Sequence, residues 1–335
     1  MFTEKLLLWY DENQRSLPWR GEKDPYKIWV SEIILQQTRV QQGWDYYLRF
    51  IQRFPNVQAL ANAEEEQVLL VWQGLGYYSR ARNMHFAAKQ IMTDYQGIFP
   101  NDYDSIRKLK GIGDYTAAAI SSIAFGLPYA AIDGNVLRII SRIFGVCEDI
   151  SILDTKKRIT DLCNAHIDKK NPGVFNQACM DFGALWCTPK GPKCHICPFS
   201  AECYASKHNM TETLPIKSNK IVKKERFFHF IFFIYNNSII LEKRTGKDIW
   251  KNLYQFPLTE RKSADTLKGL KKVAEFREVL THQIVYGIFY MREAKRKPIC
   301  KENQELVALE NIKQYPMPKI MLDFLKSINM DIEDA

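Results

Sequence analysis

A chain of 335 residues with 46% hydrophobic side chains is long enough to build two cores. No run approaches the roughly 18 consecutive apolar residues of a membrane span, and the start MFTEKLLLWYDENQR is too charged for a secretory signal. Membrane and secreted classes are therefore set aside, and a soluble cytoplasmic protein is expected. The net charge of +9 is uneven: residues 1–205 carry 23 basic and 22 acidic side chains, residues 206–335 carry 24 and 16. The excess in the second part fits either a polyanion partner or a lysine-rich solvated surface.

From about residue 2 to 186, apolar positions recur at three and four, which predicts helices. The stretch WVSEIILQQTRV (29–40) sets Glu32 inside an apolar run of Trp29, Val30, Ile33, Ile34 and Leu35, then follows it with Gln36, Gln37 and Thr38. Further helices are predicted in ALANAEEEQVLLVW (59–72), YTAAAISSIAF (115–125) and VLRIISRIF (136–144). In LKGIGDYTAAAI (109–120), Gly111 and Gly113 permit a tight turn with positive φ. The free N–H groups of the helix that follows would make a phosphate site. This is the layout of a helix–hairpin–helix DNA-binding motif, with Lys110 where proline is usual and with Asp114 an odd neighbour for phosphate. In AIDGNVLRII (131–140), Asp133 is either a plain N-cap or a carboxylate that faces a sugar developing positive charge.

Four of the eight cysteines fall close together, as Cys187-x6-Cys194-x2-Cys197-x5-Cys203. Such spacing means a metal. Zinc sites favour two close C-x2-C pairs, and only one exists here; all-thiolate ligation also suits a four-iron cluster. His195 is read as a bystander, and Cys147, Cys163, Cys179 and Cys300 as small core residues. Residues 206–225 are polar and basic and read as a linker. Strands are predicted at RFFHFIFFIY (226–235) and SIILEKR (238–244), with Asn236-Asn237 as a hairpin turn between them. A helix at 263–276, a strand at 282–292 and a helix at 318–328 complete the reading. The expected organisation is multidomain: an all-α domain over 1–205, a linker over 206–225 and a smaller α/β domain over 226–330.

The hairpin, the aspartate after it and the cysteine spacing together resemble the helix–hairpin–helix DNA glycosylase superfamily that carries an iron–sulfur cluster. Within it, WVSEIILQQTRV, QGLGYYSRARN (73–83) and the α/β tail resemble the MutY family of adenine DNA glycosylases. The resemblance runs from LPWR (17–20) to past residue 290. It implies excision of adenine opposite 8-oxoguanine or guanine from double-stranded DNA by a monomer that acts at the nucleoid. It also implies a [4Fe-4S] cluster on Cys187, Cys194, Cys197 and Cys203, and a Nudix-like C-terminal domain.

The resemblance further implies roles for single residues. Adenine leaves poorly as an anion, so Glu32, buried and protonated, would act as general acid, and Asp133 would steady the sugar cation. Tyr115 stands where bifunctional relatives carry lysine, which implies a monofunctional enzyme that leaves an abasic site; its hydroxyl is expected near Asp133 or the sugar. Gln37 and Tyr77 would wedge into the duplex, with Thr38 and Leu75 near the orphaned base, and Arg20 and Gln177 near the flipped adenine. For Leu75, Tyr77 and Tyr78 the alternative is core packing. Leu280-Thr281-His282 stands where the lesion-recognition loop usually reads Phe-Ser-His. The tail lacks the glutamate-rich Nudix hydrolase signature, so no pyrophosphate hydrolysis is expected. Two other readings stay open: a thymine mismatch glycosylase, and a non-catalytic DNA-damage-binding protein.

Overall fold

The computed structural model describes residues 1–218, 222–262, 267 and 270–330. No helix among them is long and apolar enough to cross a membrane. The chain divides into two compact units, Met1–Ala61 with Phe86–Asn219 and Asn62–His85 with Lys220–Ala335.

The helices before the sheet are α1 (Phe2–Asn13), α2 (Pro25–Leu35), α3 (Val40–Arg53), α4 (Val57–Asn62), α5 (Glu65–Val71) and α6 (Ser79–Asp94). They continue as α7 (Tyr103–Lys108), α8 (Asp114–Phe125), α9 (Gly134–Phe144), α10 (Leu153–His166), α11 (Pro172–Leu185) and α12 (Tyr204–Lys207). In the first unit α11 is central and packs on α1, α8 and α9. Its Phe175, Cys179 and Phe182 are buried with Leu6, Trp9 and Ile139. Trp9 meets Phe182 edge-on at 4.9 Å, the preferred geometry for two aromatic quadrupoles. The approach of α11 to α9 needs Gly183, where an added Cβ would lie 2.6 Å from the Cβ of Asn135. That close packing sets the start of α9, and with it Asp133, against α11.

The second unit holds a seven-stranded sheet: β1 (Lys224–Tyr235), β2 (Ser238–Lys243), β3 (Tyr254–Gln255), β4 (Leu258–Glu260), β5 (Lys271–Val279), β6 (Gln283–Glu293) and β7 (Gln304–Ala308). The order is β3-β2-β1-β6-β5, with β4 also on β1 and β7 also on β2. Strands β1 and β6 run parallel from Lys224↔Gln283 to Ile234↔Glu293. The other pairings are antiparallel. Helix α13 (Lys319–Ser327) covers one face, where Phe324 stacks on Phe289 at 4.3 Å and meets Phe232 and Phe256. Asn236 and Asn237 turn the β1–β2 hairpin with φ of 44° and 57°, as the twist of the strands requires.

Four features differ from the sequence reading. The predicted helix 59–72 is two helices, because the backbone breaks at Glu64, whose N–H donates to Gln67 Oε1 at 3.3 Å and starts α5 afresh. The predicted helix 263–276 is replaced from Lys271 onward by β5, paired along β6; Ser263–Thr266, Lys268 and Gly269 lie outside the described residues. Ladder hydrogen bonding and side-chain packing on β6 outweigh a helix-compatible composition. The linker is seated on the helical unit as far as residue 218: Leu214 is buried, its carbonyl accepts from Arg142 Nε at 3.0 Å, and Ile150 N–H donates to Ile216 O at 2.9 Å. Lastly, Gly111 has the expected φ of 81°, but Gly113 is extended, with φ −97° and ψ 177°, and caps α8.

Candidate active site

Glu32 arises from a well-started helix. Asp24 caps α2 by accepting the Tyr26 N–H at 2.9 Å, and Pro25 occupies the first turn, where its missing donor costs nothing. Two turns on, Glu32 is 8% exposed among Ile28, Ser31 and Leu35. Its Oε2 accepts the Tyr115 hydroxyl at 2.7 Å. Burial raises the Glu32 carboxyl above its usual range, the Tyr115 hydroxyl and Arg20 oppose that rise, and the nearby Asp133 adds to it. Tyr115, in the first turn of α8, has its phenol pushed well up by the same burial and by both carboxylates. Its hydroxyl also lies 3.6 Å from Met180 Sδ. The Tyr115 hydroxyl, expected near Asp133 or the sugar, lies within electrostatic range of Asp133 but donates to Glu32, across 83 residues of sequence.

Asp133 is the N-cap of α9. Its Oδ1 accepts the Val136 N–H at 2.7 Å and its Oδ2 accepts Asn135 Nδ2 at 2.7 Å. Burial raises this carboxyl too, against the pull of those N–H donors. The two acids thus differ. At Glu32 the apolar walls outweigh the one hydroxyl and Arg20, which favours the protonated form. Asp133 holds two N–H donors at a helix N-terminus, which favours the anion. Both line one cleft with Tyr115, Gln37, Gly111 and Gly113.

Arg20 and Gln177 line a narrower pocket behind Glu32. Arg20 donates to Asp181 Oδ1 at 2.6 Å, and Arg15 holds the same carboxylate through Nε at 2.9 Å. Asp181 is fully buried, so this pairing offsets the positive charge beside Glu32. Tyr10 OH donates to Gln177 Oε1 at 3.3 Å. Asp181, Tyr10 and Met180 escaped the sequence reading. For Asp181 a signal existed: a lone charge inside the apolar run ACMDFGALW, the same kind that marks Glu32.

The hairpin turn is clamped by Arg107, which donates to Ile112 O at 3.0 Å and pairs with Asp114. That pairing answers the oddity of Asp114, whose charge is compensated on its own motif. At Gly113 an added Cβ would meet nothing within 4 Å, so its absence leaves space on the outer side of the turn. Gln37, two residues past the end of α2, is exposed with φ 57°, a left-handed conformation rare for a side-chain-bearing residue. Thr38 follows it, half-buried, with its N–H on Leu35 O at 3.2 Å, and lines neither cleft.

In the second unit, Tyr77 has φ 49°, is 44% exposed, and shares a 2.8 Å hydrogen bond with Thr281 Oγ1. The turn that carries Leu280, Thr281 and His282 joins β5 to β6 and closes through Leu280 N–H to Gln283 O at 2.8 Å. Tyr77, Leu75 and this turn line one groove. Leu75 is buried at its wall, and Tyr78 is buried with its hydroxyl on Met317 O at 2.9 Å, so Tyr78 is a packing residue.

Cys187, Cys194, Cys197 and Cys203 line a further cleft beside Arg142 and Trp186. Burial first, and the neighbouring Cys187 thiol next, raise Cys194, and burial pushes Cys197 up to about 11. The buried Arg142 guanidinium donates to Cys187 Sγ at 3.4 Å and to Thr188 O at 2.7 Å. Among the described residues no three or more His, Cys, Asp or Glu side chains stand close enough to hold a single metal ion. Of the other cysteines, Cys163 and Cys179 are buried in the helical core as expected.

Residues 30–165 match the family described as HhH-GPD superfamily base excision DNA repair protein. The adenine DNA glycosylase of Buchnera aphidicola subsp. Schizaphis graminum is 40% identical over 273 residues, covering 81% of this chain and 78% of that protein. The adenine DNA glycosylase of Buchnera aphidicola subsp. Baizongia pistaciae is 39% identical over 302 residues, covering 85% and 84%. Among solved structures, a thermostable thymine-DNA glycosylase aligns with a TM-score of 0.57 and 28% identity, over 62% of this chain and 95% of that one.

Proposed function

We propose a mechanism from one premise: this chain belongs to the HhH-GPD superfamily of base excision DNA repair proteins and, within it, to the adenine DNA glycosylases. It is an N-glycosylase that removes adenine from DNA. The finer reading is that the adenine lies opposite 8-oxoguanine or guanine, in double-stranded DNA. The single observation that carries the chemistry is the shared cleft of Glu32, Tyr115 and Asp133.

The steps follow from what each group can hold. The target base must leave the stack to reach a buried acid. Glu32 gives its proton to a ring nitrogen of adenine, so that the base departs neutral as the bond to C1′ breaks. The electron pair leaves with adenine and the sugar becomes cationic. The Asp133 carboxylate, kept ionised by Val136 and Asn135, stabilises that cation. Water adds to C1′, and its proton returns to Glu32, which closes the cycle. Tyr115 positions Glu32 through its hydroxyl. A phenol held neutral by burial offers no amine for a Schiff base, so the strand stays intact at the abasic site. Gln37 in the helical unit and Tyr77 in the second unit, each in left-handed backbone, would each act as a wedging side chain by the resemblance. Arg20 and Gln177 would border the everted base; Thr38 and, in its own unit, Leu75 are each assigned to the orphaned base on the resemblance alone.

We assign the chemistry to residues 1–205 and reading of the opposite base to a Nudix-like domain over 226–330, joined by 206–225. The mixed sheet under α13 and the turn at Leu280-Thr281-His282 support that division. The hairpin turn of Gly111 and Gly113 grips a phosphate, for which the open side of Gly113 leaves room. The four cysteines would hold a [4Fe-4S] cluster. Their sharing of one cleft and the all-thiolate donor set fit that group, whose ligation would close the loop 187–203. Purified protein is expected to be brown, with iron and labile sulfide; a colourless protein with stoichiometric zinc would refute the cluster.

The function itself is tested by single-turnover release of base from duplexes that place adenine opposite 8-oxoguanine, guanine or cytosine. Release is expected from the first two, with strands cut only after alkali and little covalent product on borohydride treatment. Release of thymine from a guanine–thymine duplex instead of adenine would favour the thymine mismatch reading. Tight binding without release of either base would favour a non-catalytic binder.

A further inference from the structure

The groove of the second unit holds a polar group that the mechanism above does not use. Glu278 lies near the end of β5, two residues before Leu280, and lines the groove with Tyr77, Thr281 and Lys319. Its Oε2 is shielded from solvent and has no hydrogen-bond partner among the described residues. A buried acceptor without a donor is costly, so its retention calls for a role. The position of Leu280 sharpens the question, since it puts an aliphatic side chain where the family's recognition loop has an aromatic ring.

We propose that Glu278 is a specificity-determining residue of this groove, with its free carboxylate oxygen accepting the N7–H of 8-oxoguanine in the strand opposite the excised adenine. The inference rests on the lesion-reading role given above to the second unit. Its chemistry is selective. Oxidation of guanine at C8 places a hydrogen on N7, whereas N7 of guanine is a bare acceptor. An ionised carboxylate accepts only, so it complements the first base and repels the second. A protonated carboxyl can instead donate to the guanine N7.

The state of Glu278 therefore decides what it reads. Burial pushes its carboxyl up to about 7, Lys319 of α13 lowers it and Asp323 of α13 raises it. The other titratable or charged groups on the groove are Asp248 and His282, from loops, and Arg82, Tyr77 and Tyr78, from the segment 74–82. Above this range the carboxylate prevails and the oxidised base is favoured; below it the acid form tolerates guanine.

The test is the ratio of single-turnover adenine release from the 8-oxoguanine duplex to that from the guanine duplex, with enzyme in excess over duplex but below saturation, between about pH 6 and 8.5. Both duplexes undergo the same chemistry at Glu32, so its titration cancels in the ratio. In the unaltered protein the ratio should rise with pH through about 7. In Glu278→Gln, whose amide both donates and accepts at every pH, the ratio should be flat and lower by about tenfold at the alkaline end, as expected for one charge-assisted hydrogen bond. The fall should come from the 8-oxoguanine duplex alone, with the guanine duplex unchanged or faster; a merely structural defect would slow both. A ratio and pH profile in Glu278→Gln equal to those of the unaltered protein would overturn the proposal. Were Thr281→Ala then to abolish the preference, the groove would still read the lesion without Glu278. No preference in the unaltered protein at any pH would overturn both this inference and the lesion-reading role, with adenine excision untouched.

Discussion

Replacing Glu32 with glutamine should lower single-turnover adenine release by about 10³-fold or more, at the upper end of what a positioned general acid contributes, while affinity for the duplex is kept. Glutamine has the shape of glutamate and can still accept the Tyr115 hydroxyl, so the hydrogen bond now measured at 2.7 Å survives. What it lacks is a transferable proton. Glu32 is a buried wall of the cleft, whereas the phosphate grip is proposed for the turn at Gly111 and Gly113, which the substitution does not touch, so binding persists. Thermal stability should change little, because a neutral carboxyl gives way to a neutral amide of the same shape that keeps the Tyr115 bond. The pH dependence carries a sign. Burial raises the folded Glu32 carboxyl, so the active protonated form is lost as pH climbs through that raised value, and release should decline on the alkaline side. A variant that turns over at the original rate would remove Glu32 from the chemistry. One that loses DNA binding and turnover together would make it a structural residue.

The legibility of this site in the sequence follows the range of the interactions. A charge inside an apolar helical run is a local anomaly that draws the eye to Glu32, but its role comes from the family resemblance. The cap at Asp133 and the turn at Gly111 are equally local, because a carboxylate before a helix and a glycine at positive φ are short-range requirements. The Tyr115–Glu32 bond is not local; it depends on the packing of α2 on α8, which no window of sequence contains. The assignment of residues 62–85 to the second unit failed to surface for the same reason. Lys243 pairs with Glu66, Asn252 donates to Glu65, and Met317 N–H donates to Gln73, each across more than 170 residues. Strand β5 was misread because Lys, Ala and Glu suit a helix, while its pairing with β6 is a tertiary fact.

Asp133→Asn separates the two readings of that residue. Asparagine is as good an N-cap as aspartate, so the bond to the Val136 N–H, 2.7 Å in the native protein, is retained and α9 still starts at Gly134. The partner lost is Asn135 Nδ2, a single hydrogen bond worth about 1 kcal/mol. Fold and DNA affinity should therefore stand. Adenine release should fall by about 10²–10³-fold, because the negative charge that faces the developing sugar cation is gone. Asp133→Ala removes charge and cap together. It should show the same kinetic loss and, in addition, about 1 kcal/mol of lost stability, read as a lower urea midpoint with an unchanged slope. The pair of variants thus splits charge from cap. Full activity in Asp133→Asn, with Asp133→Ala the less stable of the two, would leave Asp133 as nothing more than the start of a helix.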